Sequence, residues 1–374
     1  MSSPIIPQTH RVLKLASTDR PLTIETIPTP RAGPGSAVIR ILAALVVPYS
    51  GEVYSGKRPY PLPAPFVPGE VALGRIVEAG PDATTLSAPG QLVLFDAHVC
   101  GRDDASVLYI SGIEEFPSDA GRKLARCAEW RDSTYAQHAR VPLENCLRLD
   151  ETRLLRQLGY GIDELCHVLP MFVPFGGLSD IGLRPGETVA IAPATGIYGG
   201  AAVHAALAMG ARVVAVGRNE EVLSRLVAVD SRRVAAVRIT GDVDADAKAI
   251  TDAAGGPIDA YLDMSSPQAS DSTHFRSCFN SLKSGGRVSL MGGARGFPLT
   301  TFEILFRALT VKGTWRCTRD QAIQLLKMVE AGTLPLGKDR GMKLVGRFGL
   351  DQWEEAFETA VKHGSAGETA VLTP

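Results

Sequence analysis

The chain has 374 residues, 45% of them hydrophobic, and balances 39 Lys and Arg against 40 Asp and Glu. A net charge of −1 gives no general electrostatic reason to bind nucleic acid or an anionic membrane, and no uninterrupted apolar run reaches the roughly 18 residues of a spanning helix. Two domains or one large one are expected, in a soluble, cytoplasmic protein, because residues 1–7 lack the basic region and apolar core of a secretory signal.

To about residue 150, short apolar runs alternate with Gly and Pro. Residues 38–43, 73–77 and 92–95 read as strands of a small, mostly β domain. The proline-rich stretch 59–65 cannot be helix and reads as extended loop. Residues 96–132 show no clear period and are long for a connector, which suggests an insertion covering a site. From about residue 160 the pattern changes. Strands are expected at 187–192, 212–216, 260–263, 287–291 and 309–313, and helices at 201–209 and 220–226. That alternation indicates a parallel sheet wrapped by helices. Two amphipathic helices, at 321–330 and 352–361, follow. Cys100, Cys127, Cys146, Cys166, Cys278 and Cys317 are scattered, with no Cys-x-x-Cys pair. They fit reduced thiols and offer no framework for a structural zinc.

The most informative constellation is residues 189–199, which read Ala-x-Gly-x-x-Gly through Ala194, Gly196 and Gly199, directly after a strand and before a helix. Small residues let backbone approach a pyrophosphate there, and the helix N-terminus supplies unpaired N–H donors and positive dipole. Thr195, Gly196, Ile197, Tyr198 and Gly199 are thus candidate cofactor contacts. The alternative is a turn that only packs helix on sheet. The next strand ends at Gly217, followed by Arg218 and Asn219. A carboxylate at Gly217 would favour the ribose of NAD. Its absence, with a guanidinium adjacent, favours the 2′-phosphate of NADPH. Arg218 as a solvated charge, or stacked on adenine, is the alternative.

On these features, together with residues 27–30, 67–80, 133–141 and 309–316, the chain resembles the medium-chain dehydrogenase/reductase superfamily over nearly its whole length. The resemblance implies an α/β protein: a GroES-like β-rich catalytic domain (1–160), a Rossmann domain with a doubly wound parallel sheet (161–317), and a C-terminal return to the catalytic domain (318–374). It also implies hydride transfer with a nicotinamide cofactor, a small-molecule substrate and a homodimer. Met264 and Ser265, Gly292 and Gly293, and Trp315 and Arg316 follow later strands, where the family contacts nicotinamide and ribose. Packing at strand ends is their plain alternative.

The departures from the family's zinc site are specific. Val47 stands where zinc-dependent members place a Cys ligand, and Glu70 where they place a His. Residues 170–176 hold no Cys, Cys166 lies upstream, and the four-cysteine lobe is missing. A catalytic zinc needs three protein ligands, so a zinc-independent member with no metal is expected. Pro48 resembles the quinone and enoyl reductase branch, although Val47 and Ser50 depart from its Asn-Pro-x-Asp pattern. Without a Lewis acid, orientation and hydrogen bonding to the developing oxyanion must drive the reaction. Tyr49 is the leading proton donor or oxyanion partner, and Tyr54 the second. Glu70 is either a general acid raised by burial or half of an ion pair with Lys57 or Arg58. The expected activity is NADPH-dependent reduction of an activated C=C or C=O. A reversible NADP-dependent secondary alcohol dehydrogenase and a non-catalytic NADPH sensor are the alternatives.

Overall fold

A computed structural model describes residues 6–86, 89–115, 118–296 and 299–374; residues 1–5 of the N-terminal stretch judged above lie outside them. The chain forms two compact units, one of residues 1–169, 344–364 and 369–374, the other of residues 170–343 and 365–368.

The first unit is β-rich. Strands β1 (Thr9–Lys14) and β2 (Thr23–Pro28) form an antiparallel pair. β3 (Ser36–Val46), almost wholly buried, pairs antiparallel with β4 (Ala72–Ala79), and β4 with β5 (Leu92–Phe95). Segment 96–132 has structure of its own. β6 (His98–Cys100) and β7 (Leu108–Ile110) pair, and a helix, Asp119–Ala125, begins at Ser118, whose side chain accepts from Gly121 N–H (3.0 Å). Val99, Tyr109 and Ala125 make a small core of their own. Its buried apolar residues sit in short, widely separated groups around Ala97–Val99, Tyr109–Ile113 and Ala125, which leaves no readable period. β8 (His138–Pro142) then pairs with β3, and β9 (Cys146–Arg148) with β5.

The second unit carries a six-stranded parallel sheet. Its strands are β10 (Thr188–Ala192), β11 (Arg212–Gly217), β12 (Val234–Arg238), β13 (Ile258–Asp263), β14 (Leu282–Leu290) and β15 (Thr310–Gly313), in the order β12-β11-β10-β13-β14-β15. β10 is buried at every position, as a central parallel strand with both faces covered should be. The strand order reverses between β10 and β13, which makes their carboxyl ends the switch point where such sheets bind ligands. Helix Ile197–Ala208 is buried over most of its length, and its small Gly and Ala residues let it pack closely. β12, at the sheet's edge, is buried only at Val234 and Val237, so its apolar signal is weak in sequence.

The chain re-enters the first unit through β16 (Lys343–Phe348), and β17 (Glu368–Leu372) ends the fold. The larger sheet of that unit runs β16-β17-β3-β4-β5-β9, with Val371 opposite Leu45. The β-rich unit and doubly wound parallel sheet expected from sequence are both present. The bounds differ from those expected: the first unit runs to residue 169, and residues 318–343 and 365–368 belong to the second. Helix Arg319–Ala331, assigned above to the returning segment, packs on helix Pro174–Asp180 in the second unit, and Gln321 donates to Asp180 (2.8 Å).

Candidate active site

The candidate residues fall into two groups, one in each unit. In the second unit, Thr195 and Gly196 form the turn after β10, and Gly196 has the extended backbone (φ −87°, ψ 173°) that precedes helix Ile197–Ala208. A Cβ on Gly196 would meet nothing within 4 Å. The space before the helix is therefore open, and the N–H groups of its first turn, from Ile197, Tyr198 and Gly199, have no earlier intrahelical carbonyl to bond. Gly199 has the opposite surroundings. A Cβ there would lie 2.0 Å from the Pro193 carbonyl oxygen, so only glycine lets the helix approach the strand end. The turn is braced by Ala366 N–H donating to the Thr195 carbonyl (3.0 Å).

At the end of β11, a Cβ on Gly217 would lie 2.6 Å from the Thr195 methyl. No carboxylate occupies that position, and Arg218 is exposed. The Asn219 side chain caps helix Glu220–Val229 by accepting from Val222 N–H (3.1 Å), which gives it a structural task beside the cofactor position. The loop after β13 is fixed by Met264 N–H donating to the Ala192 carbonyl (2.8 Å). Below it lies a buried polar network the sequence did not reveal. Asp263 accepts from Tyr261 (2.9 Å) and Ser265 (2.5 Å), Ser265 meets His274 Nε2 at 2.7 Å, and His274 Nδ1 meets Ser272 at 2.6 Å. Gly292 lies against Ser265, where a Cβ would be 2.1 Å from its carbonyl oxygen, and Gly293 N–H donates to that carbonyl (2.8 Å). Trp315 is half-buried and Arg316 buried beyond β15. Asp180 anchors this end through Thr314 (2.7 Å) and Lys312 (3.3 Å). Open space at Gly196, close packing at Gly199 and a switch point together fit a dinucleotide.

In the first unit, Tyr49 immediately precedes the short helix Ser50–Tyr54 and is half-buried. Its ring carries the Arg58 guanidinium, 4.2 Å from the centroid, and Arg58 also lies 5.3 Å from the Tyr60 ring. Tyr54 is placed differently. It is buried among Phe66, Tyr135 and Phe357, and its hydroxyl donates to the Gly112 carbonyl (3.0 Å) while accepting from Gly69 N–H (3.4 Å). Burial, then Tyr135 and Glu70, hold that phenol well above its ordinary range. Its donor is spent on backbone, which marks Tyr54 as a scaffold residue. Glu70 is buried at 4% exposure, and its carbonyl accepts from Thr134 (2.8 Å). Sequence reasoning passed over Glu114, which lies in the same cluster. Burial pushes its carboxyl up to about 7, against the pull of Arg58 and with the help of Glu70's charge.

The donor set does not fit a catalytic zinc. Val47 is buried hydrocarbon, and the fully buried Cys166 thiol is pushed up by burial. His167 is buried, bonded to Thr369 (3.2 Å) and pushed down to about 4 by burial. Among the described residues, no group of three His, Cys, Asp or Glu could hold a metal ion.

Two family models match the chain: an alcohol dehydrogenase GroES-like domain over residues 33–151 and a zinc-binding dehydrogenase over residues 198–331. L-threonine 3-dehydrogenase of Ruegeria pomeroyi is 26% identical over 96% of this chain and 99% of its own length. Two solved structures share the fold with a TM-score of 0.73 each. Acetophenone reductase of Geotrichum candidum, in complex with NAD, is 18% identical over 99% of this chain and 98% of its own. A candidate zinc-binding dehydrogenase of Sinorhizobium meliloti 1021, bound to NADP, is 21% identical over 98% of this chain and 100% of its own. With the GroES-like and zinc-binding dehydrogenase models both matched, on a β-rich unit and a doubly wound parallel sheet, the chain belongs to the medium-chain dehydrogenase/reductase superfamily of nicotinamide-dependent oxidoreductases.

Proposed function

We propose that this protein is a zinc-independent, NADPH-dependent reductase of an activated C=C or C=O in a small or medium organic molecule. The observation that carries the metal-free reading is the composition of the ligand positions: Val47 and Glu70 replace the family's Cys and His, and an arginine, Arg58, lies over the ring of Tyr49. A guanidinium can stabilise negative charge without a metal. When bound, the reduced nicotinamide supplies a hydride. The helix N-terminus at residues 196–199 holds the pyrophosphate, Arg218 pairs with the 2′-phosphate, and the strand ends at Met264, Ser265, Gly292, Gly293, Trp315 and Arg316 line the nicotinamide half. Tyr49 donates a hydrogen bond to the substrate oxygen as charge develops there. Tyr54 and Glu70 shape the pocket, Tyr54 through backbone and Glu70 through charge.

A second reading, reversible oxidation of a secondary alcohol, is favoured by the dehydrogenase names of the curated relatives. We further place the protein in the cytoplasm, a location supported by six free cysteines. Among the described residues no helix is long and apolar enough to cross a membrane. The test is turnover with metal analysis. Enones, quinones and ketones, offered with NADPH, should include substrates that give product at substoichiometric zinc. Stoichiometric zinc in active protein, with activity lost on chelation, would sink the metal-free reading. Faster turnover of alcohols with NADP⁺ would favour the second.

A further inference from the structure

In the second unit the phosphate turn follows β10, which β11 flanks on one side and β13 on the other. A dinucleotide whose adenosine half lies toward Gly217 at the β11 end has its nicotinamide half over the ends of β13 and β14. Those ends are tied to β10 and to each other. Met264 N–H donates to the Ala192 carbonyl (2.8 Å), and Gly293 N–H to the Ser265 carbonyl (2.8 Å). Arg295 N–H donates to the Ser270 hydroxyl (2.9 Å), which donates in turn to the Pro267 carbonyl (2.7 Å). Ser265 is the centre of this junction. Its carbonyl holds the loop after β14, and Gly292 packs on it so closely that a Cβ would lie 2.1 Å from that oxygen.

The Ser265 hydroxyl is fixed by two groups seated in the core. Asp263, fully buried, ends β13. An ionised carboxylate only accepts, so Tyr261 (2.9 Å) and Ser265 (2.5 Å) both donate to its Oδ1, while its Oδ2 has no hydrogen-bond partner. Ser265 has one proton, and Asp263 takes it. The 2.7 Å contact between Ser265 and His274 Nε2 must then be donated by the ring. Nε2 therefore carries a proton whether the imidazole is neutral or charged, and Nδ1 meets Ser272 (2.6 Å). His274 is itself buried and opens the helix His274–Asn280, whose Phe275 and Phe279 share one core cluster with Tyr261. Turning Ser265 away would leave the buried Asp263 charge with one hydrogen bond among the described residues, and an unmade bond to a buried charge is costly.

We propose that His274 and Asp263 are positioning residues for the nicotinamide half of the cofactor: acting through Ser265, they set where the loop ends of β13 and β14 stand, with His274 Nε2–H as the donor. The proposal rests on the reading that this end of the sheet binds a nicotinamide dinucleotide. It is independent of the choice between NADPH and NADH, of any metal and of the substrate.

Two measurements on the full-length protein test this. The first is calorimetric binding of whichever of NADPH and NADH wild type holds more tightly, set against the same molecule lacking its nicotinamide. His274→Leu should weaken the intact cofactor about tenfold, as a buried donor is lost, and the fragment by less than about twofold. His274→Gln, whose amide N–H stands in for the ring donor, should recover most of that loss. Ser265→Ala, a smaller change that keeps the test open if His274→Leu does not fold, should show the same split. A network that only supports the fold would weaken cofactor and fragment alike, or lower stability with binding unchanged, and either result overturns the proposal. So does a wild type that binds cofactor and fragment equally well. The second measurement is nitrogen-15 NMR of the histidine rings. The signals missing from His274→Gln should show a protonated Nε2 in wild type, and a ring protonated on Nδ1 alone overturns the donor role. Wild type that binds neither dinucleotide nor fragment overturns the dinucleotide reading itself, and the proposal with it.

Discussion

At the scale of single residues, the proposed preference for NADPH turns on Gly217 and Arg218. A carboxylate at the end of β11 would repel a 2′-phosphate, and glycine there removes that repulsion while the exposed Arg218 offers a planar fork of donors. Arg218→Ala should raise the NADPH dissociation constant by ten- to a hundredfold, about 1.5–3 kcal/mol for a hydrogen-bonded charge pair, and leave NADH within a few-fold. Fluorescence titration with both cofactors checks this, and equal weakening would remove the NADPH argument. The position of Gly217 and Arg218 at the end of β11 was legible in sequence because the strand–loop–helix–strand frame fixes where that end must lie. Glu114 was not. Its surroundings arise from contacts between Gly112 and Gly69 and between Glu115 and Pro61, positions far apart along the chain, and no local pattern announces such convergence. Tyr54 shows the converse. Its place near the lost ligand position made it a candidate, but the aromatic cluster of Phe66, Tyr135 and Phe357 and its backbone partners make it part of the core.

At the scale of elements, the phosphate turn depends on how closely helix Ile197–Ala208 meets β10. Gly199→Ala would set a methyl against the Pro193 carbonyl, 2.0 Å away, and backbone cannot yield as a flexible side chain does. The substitution should cost about 1–3 kcal/mol of stability and weaken dinucleotide binding further, because the helix N-terminus must shift. Chemical denaturation and cofactor titration of the same variant read both. Gly196→Ala, with open space before it, should spare stability and weaken only the cofactor. The central elements were readable from sequence for a physical reason: β10 is buried throughout and β11 at every position after Arg212, as mostly apolar runs. The β6–β7 hairpin and β12 escaped because short or edge strands bury too few side chains to impose a period.

At the scale of the whole molecule, β15 closes one edge of the parallel sheet, and beside it helix Thr301–Phe306 exposes Phe302, Leu305 and Phe306 at 65%, 72% and 70%. An open strand edge next to an apolar face is a hazard unless something covers it. We propose that a second copy does, consistent with the homodimer implied by the family resemblance. Replacing Phe302, Leu305 and Phe306 together by Ser should shift the sedimenting species from dimer to monomer; a wild type that sediments as monomer at all concentrations would end that proposal. The order in which the chain is synthesised is constrained by another feature. β17 pairs with the long β3, and residues 365–368 belong to the other unit, where Ala366 braces the phosphate turn. Residues 365–374 therefore complete both units. Until they have been synthesised neither unit can close, and vectorial folding from the N-terminus reaches only intermediates in which part of the β3 edge is unpaired, so one short segment that follows the other strands couples the closure of both units.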